Sequence, residues 1–303
     1  MESYEFYVEA PWGKIACISW GHCVNSPVLM VHGYMDSAAT FIPIMKHLPN
    51  TYYYVAIDFP GQGKSDAFPL GPLVNHACLV EAMRRVIEHL KWPTFVLMAH
   101  SVGFVIGAFY NSIHPYRISK MINLDPLLPL STYTFHETNP ALWYQYMYDH
   151  YYDNYSRWSL ERNKKYTYDQ AINLLVRSRK LTKDQSAVVL SRSLVPLDDG
   201  MYKLSWEPCM KQLVVLPVTK EMLISLVTTN PPPMLNIVAF EVEILPYFKK
   251  NGIRLMEVFK KSIPNFIVHN VAGPHDVHIT NPESFVDKII DFLDMDFKVQ
   301  AKL

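Results

Sequence analysis

Apolar and polar positions along the chain change their period from segment to segment. Residues 4–8 and 14–20 are strand-like runs joined by Pro11-Trp12-Gly13, which predicts an N-terminal hairpin. Short apolar runs follow at 27–33, 53–58, 118–124, 234–240 and 265–271, each of the length of a buried strand. Between them the spacing turns helical. Residues 74–91 place Leu79, Met83, Val86, Ile87 and Leu90 on one face, residues 36–48 read as a loop and a helix, and 246–262 and 282–295 close the chain as helices. In the last of these, Phe285, Ile289, Ile290 and Phe292 are expected to point inward. Strands alternating with helices imply an α/β protein with a mostly parallel sheet covered on both faces.

The pattern breaks between about 127 and 230. Strand runs vanish there and aromatic-rich helical segments take over, from Trp143 through Tyr144, Tyr146, Tyr148, Tyr151, Tyr152 and Tyr155 to Trp158, then at 168–180 and 182–194. Pro231-Pro232-Pro233 marks the return to the sheet. The expected organisation is a core formed by 1–128 and 231–303 with an inserted helical cap at 129–230. The aromatic cluster is read as packing within that cap, with a pocket lining as its alternative.

One apolar run carries chemistry. From Phe95 it proceeds through Ala99-His100-Ser101-Val102-Gly103 and resumes at helical spacing, which reads as a strand, a sharp turn and a helix. Ser101 occupies the serine position of G-x-S-x-G with Ala99 at the first glycine; small flanking residues let the turn lift the hydroxyl out of the sheet. His32, Asp58, Ser101 and Asp125 all fall at the carboxyl ends of predicted strands, where open α/β sheets bind ligands.

Composition narrows the classes. The 303 residues are 50% hydrophobic and 18% charged with zero net charge, which describes a globular chain and gives no basis for nucleic-acid binding. The first residues carry acids where a secretory signal carries Lys or Arg, and no window reaches the roughly 18 apolar residues of a membrane span. Four cysteines without C-x-x-C spacing are expected as free thiols. No G-x-G-x-x-G, Walker loop or cluster of metal ligands appears, so neither cofactor nor metal is expected. The final Ala301-Lys302-Leu303 is a near relative of the S-K-L peroxisomal address, which points to a peroxisomal import receptor as partner, with the cytoplasm as the alternative location.

Taken in order, His32-Gly33-Tyr34-Met35-Asp36, Asp58 with Gly61, Gly63, Ser65 and Asp66, Ala99 to Gly103, and Gly273-Pro274-His275 with His278, Pro282 and Glu283 resemble the α/β-hydrolase superfamily, most of all its serine hydrolase-like group. The match spans about 5–128 and 231–295. The resemblance implies the α/β-hydrolase fold, a nucleophile at Ser101, and a base at His275, with His278 as a structural neighbour. It places backbone donors to an oxyanion at Tyr34 and Val102, and gives His32 and the Asp58 loop bracing roles. For the acid it offers Asp125, with Glu241 and Glu243 as alternatives. The chain departs from the family at Ala99 and at Pro274, which precedes the histidine. Relatives with epoxide hydrolase or dehalogenase activity use Asp at the elbow, so the serine here implies acyl transfer to water: a carboxylic ester, thioester or lactone of a small apolar substrate cleaved through an acyl-serine. A non-catalytic small-ligand-binding protein on the same fold is the alternative.

Overall fold

The computed structural model describes residues 1–71, 73–133, 139–212, 218–241 and 246–297. Glu243 and the terminal Ala301, Lys302 and Leu303 lie outside these residues. Eight strands form one sheet: β1 (Ser3–Ala10), β2 (Gly13–Trp20), β3 (Ser26–Val31), β4 (Tyr52–Ile57), β5 (Phe95–His100), β6 (Ile118–Leu124), and, beyond a two-stranded ribbon of β7 (Leu194–Pro196) and β8 (Tyr202–Leu204), β9 (Met234–Ala239) and β10 (Phe266–Val271). Their order is β1-β2-β4-β3-β5-β6-β9-β10. The hairpin strand β2 is antiparallel to β4, and every pairing from β4 to β10 is parallel.

The alternation of side chains along each strand divides the core into two layers. Leu29, Val31, Val55, Leu97 and Ala99 face the helices His76–Leu90, Val102–Ile113 and Pro246–Ser262. Val28, Met30, Tyr54, Ala56, Met98 and Ile122 face Phe41, Ile44, Phe285, Ile289 and Phe292 on the other side. Two buried faces explain why the central strands are apolar at nearly every position: all six residues of β5 are buried. In the last helix Ile290 is only half-buried and Leu293 takes the inward place. The segment at 36–48 holds only the short turns Ala38–Phe41 and Ile42–Met45.

Between β6 and β9 the chain forms an insertion of short helices, of which Tyr168–Arg179 and Lys183–Leu190 both begin with capping boxes, Thr167 with Gln170 and Thr182 with Gln185. These two helices bury Ala171, Leu175, Val189 and Leu190 against Ile279 of the core. The ribbon of β7 and β8 runs against the expectation of a wholly helical insertion; its three-residue strands are too short to show a period. Among the described residues no helix is long and apolar enough to cross a membrane.

Candidate active site

Ser101 sits between β5 and the helix Val102–Ile113 at φ 53° and ψ −121°, a left-handed conformation that a non-glycine residue holds only under constraint. Two contacts impose it. The Ser101 N–H donates to the Leu124 carbonyl at 3.0 Å, and the turn presses so close to β3 that a Cβ on Gly103 would stand 2.6 Å from the Val31 carbonyl oxygen. Gly33, just beyond β3, meets the same turn, where a Cβ would lie 3.0 Å from that of Ser101. The small residues around the serine are therefore required by backbone proximity, and Ala99, fully buried, meets that requirement in place of glycine.

His275, in the loop after β10, lies with Nε2 2.9 Å from Ser101 Oγ and Nδ1 2.5 Å from Asp125 Oδ2. With the serine hydroxyl donating to Nε2, the ring carries its proton on Nδ1 and donates it to the carboxylate; this tautomer is assigned from the hydrogen-bond pattern. Asp125 follows β6 at φ 46°, is fully buried, and accepts from the Ala239 N–H through its other oxygen at 3.2 Å. Pro274 does not displace the histidine from either partner. Glu241, the rival acid, is exposed; its N–H donates to the Gly273 carbonyl, and its carboxylate has no bond to His275.

The loop after β3 runs alongside. Among the described residues neither the Tyr34 nor the Val102 N–H has a hydrogen-bond partner. His32 braces this loop: Nε2 accepts from the Phe59 N–H at 3.0 Å while Nδ1 contacts the Gly33 carbonyl at 2.8 Å. Asp58 ties the glycine turn to it, accepting from the N–H groups of Ala38 and Lys64. His278 is buried, its Nε2 is 2.6 Å from Thr40 Oγ1, and its ring packs on that of His100 at 4.1 Å between centroids, with no bond to Ser101 or Asp125. Burial pushes the His278 imidazole down to about 3 and that of His100 well below its ordinary range, so both are neutral where the protein is folded.

Sequence reasoning missed two arginines, Arg192 buried and Arg179 mostly so. Arg179, the last residue of Tyr168–Arg179, donates to both oxygens of Asp276 at 2.8 and 2.6 Å and to Asp36 at 2.9 Å. Burial alone would raise the Asp276 carboxyl, yet the guanidinium outweighs it and holds the group well below the usual carboxylate range. Arg192 likewise donates to Asp58 through Nε and Nη2 and to Glu5 through Nη1. His100, Asp276 and His278 bring three metal-ligating atoms within 4.8 Å of one another. Arg179 already engages both Asp276 oxygens, and a fixed cation there opposes a second one.

Ser101 and His275 open into a cavity of about 920 Å³ between the core and the insertion. Its walls include Leu128, Leu174, Leu175, Leu204 and Trp206. None of the aromatic residues from Trp143 to Trp158 is among them. Met147, Tyr151 and Trp158 pack inward, while Tyr144, Tyr146 and Tyr152 face solvent.

Known proteins share this fold. Residues 26–189 match the family model described as the alpha/beta hydrolase fold. A serine hydrolase-like protein of Danio rerio is 28% identical over 296 residues, covering 95% of this chain and 88% of the relative. In structure, a hypothetical protein from Pseudomonas aeruginosa PAO1 aligns over 96% of this chain and 99% of its own, with a TM-score of 0.79 at 19% identity. A thioesterase domain from the curacin biosynthetic pathway covers 96% of this chain and 100% of its own, with a TM-score of 0.74 at 17% identity. The chain therefore belongs to the α/β-hydrolase fold family, within its serine hydrolase-like group.

Proposed function

We propose that the protein is a serine hydrolase that cleaves an ester-type bond through an acyl-serine. The observation that carries this reading is the unbroken chain of hydrogen bonds from Ser101 through His275 to Asp125, opening into the cavity. Ser101 Oγ attacks the acyl carbonyl as His275 Nε2 takes its proton, and Asp125 stabilises the imidazolium that forms. The unpartnered N–H groups of Tyr34 and Val102 receive the negative charge that develops on the carbonyl oxygen. Collapse expels the alcohol or thiol, which His275 protonates; water then enters, gives its proton to His275 and releases the acid. The substrate is a carboxylic ester, thioester or lactone, and the likeness to a thioesterase domain is compatible with the second of these.

A fluorophosphonate probe tests the proposal: it is expected to add one phosphonyl group to the wild-type chain by intact mass, at Ser101, and none to Ser101→Ala. A folded wild-type chain that leaves the probe unreacted would instead support the alternative, a non-catalytic small-ligand-binding protein. For location, the terminal Ala301-Lys302-Leu303 supports import into peroxisomes. A chain tagged at its N-terminus is expected in peroxisomes and should become diffuse when Leu303 is deleted; diffuse fluorescence of the intact chain would point to the cytoplasm.

A further inference from the structure

The cavity wall contributed by the insertion carries an imbalance of charge. Arg157, Lys164, Arg179, Lys180 and Lys211 line it, and Glu161 is the one carboxylate from the insertion that does so. Glu161 accepts from Arg157 Nε at 2.7 Å and from Lys211 Nζ at 2.6 Å, so a single negative charge faces two positive ones. Lys164 Nζ stands over the Tyr166 ring, 5.3 Å from its centroid, and has no carboxylate partner among the described residues. The part of the wall around Glu161 therefore presents an excess of two positive charges.

The remaining charges of the lining are arranged differently. Near His275, Arg179 is outnumbered by Asp36 and Asp276, which it binds directly. Glu241 stands exposed at the rim. The whole lining holds five cations and four carboxylates, unevenly distributed: Arg179 and Lys180 stand with Asp36, Asp276 and Glu241, whereas Arg157, Lys164 and Lys211 stand with Glu161 alone. Leucine side chains and Trp206 contribute apolar surface to the same cavity. The cationic wall is also fixed in place relative to the reacting centre, because the Tyr34 hydroxyl donates to the Lys211 carbonyl at 2.9 Å and the backbone of Tyr34 is the assigned oxyanion donor.

We propose that the cavity takes an amphipathic acyl ester or thioester bearing an anionic group, a carboxylate or a phosphate, held by Lys164 and the Arg157–Lys211 pair while its apolar part lies along the leucines. The proposal rests on the serine hydrolase reading of Ser101. An anion there completes the unequal pairing around Glu161, whereas a wholly apolar ester gains nothing from these partly exposed cations.

Two pairs of chromogenic or ultraviolet-active esters test it. Mono-p-nitrophenyl suberate and p-nitrophenyl octanoate share an eight-carbon acyl chain and differ in one terminal carboxylate. 4-Acetoxyphenyl phosphate and phenyl acetate place the anion on the leaving group instead. In low salt, kcat/KM is expected to favour the anionic member of at least one pair by about 3- to 10-fold, the range that a few partly exposed charges supply. The pair that responds tells which side of the scissile bond carries the anion. The ratio should fall toward one in 0.5 M NaCl and in the double variant Lys164→Gln, Lys211→Gln. A ratio of one or less for both pairs in the wild type, or a preference unmoved by salt and by the variant, overturns the proposal. Titration of suberate against octanol into Ser101→Ala by calorimetry keeps the two readings apart. Tighter binding of suberate supports the anion site even if no ester is turned over and the fluorophosphonate fails, and equal binding sinks it even if the hydrolase is active.

Discussion

Asp125→Asn is expected to lower kcat/KM by about 10³- to 10⁴-fold on any ester the chain turns over, with its fold unchanged. The substitution keeps the shape of the side chain, and asparagine accepts the left-handed backbone that position 125 adopts at φ 46°. Its amide oxygen still receives the Ala239 N–H. What changes is the partner of the imidazole: an NH2 group facing His275 Nδ1 turns that nitrogen into the acceptor and moves the ring proton to Nε2, where it meets the serine. The base is then absent although every atom is in place. Steady-state kinetics, with circular dichroism and melting as controls, check this. Glu241→Gln is the companion, expected near wild-type rates because Glu241 has no bond to His275; a loss confined to Glu241→Gln would transfer the role of the acid.

Arg179→Met should have the second large effect, on stability as well as rate. It leaves Asp36 and Asp276 buried without their cation, which costs about 3–5 kcal/mol, read as a fall in denaturation midpoint at pH 7. The pH dependence follows from the depressed Asp276 carboxyl. Its stabilisation in the wild type is fully present above the unfolded value of about 3.9 and is lost as pH falls toward the lower folded value. In the variant, burial acts unopposed and raises the carboxyl, so the folded state takes up protons first and gains on acidification. The gap between the two proteins is therefore widest near neutrality and narrows toward pH 4. Catalysis should suffer too, since one guanidinium ties the loop of Tyr34 and Asp36 to the loop of His275 and Asp276; a displacement of about 1 Å costs on the order of 10²-fold. Arg179→Lys keeps the charge without the planar fork and should recover stability more than kcat. Equal rates in all three proteins would reduce Arg179 to a purely structural ion pair.

The hydrogen-bonded chain of Ser101, His275 and Asp125 was legible in part because two of its signals are local. Ala99 to Gly103 encodes a turn by residue size alone, and His275 follows from its place after the last strand. Asp125 was open against Glu241 and Glu243 because any carboxylate at a strand end looks alike in sequence; burial and a hydrogen bond separate Asp125 from Glu241. Arg179 left no trace of that kind. Its partners are 143 and 97 residues away, and a basic residue in the last turn of a helix is commonplace. The aromatic run was half-legible. Met147, Tyr151 and Trp158 are spaced four and seven apart and share a buried face, while their neighbours turn outward, so a dense cluster in sequence became one narrow stripe in space. The cavity wall fell instead to residues scattered through 157–211 that no local period connects.

Arg192 bears on how freely the insertion could be exchanged among relatives. It reaches from the end of Lys183–Leu190 to Asp58, whose carboxylate is fully buried and holds the N–H groups of Ala38 and Lys64. A chimera that grafts a foreign segment between β6 and β9 without an arginine at this spot would leave that buried carboxylate without its guanidinium partner. The constraint on such grafts is thus electrostatic: the two parts of this chain share counter-ions, and compatible donors are those that bring both guanidinium groups with them.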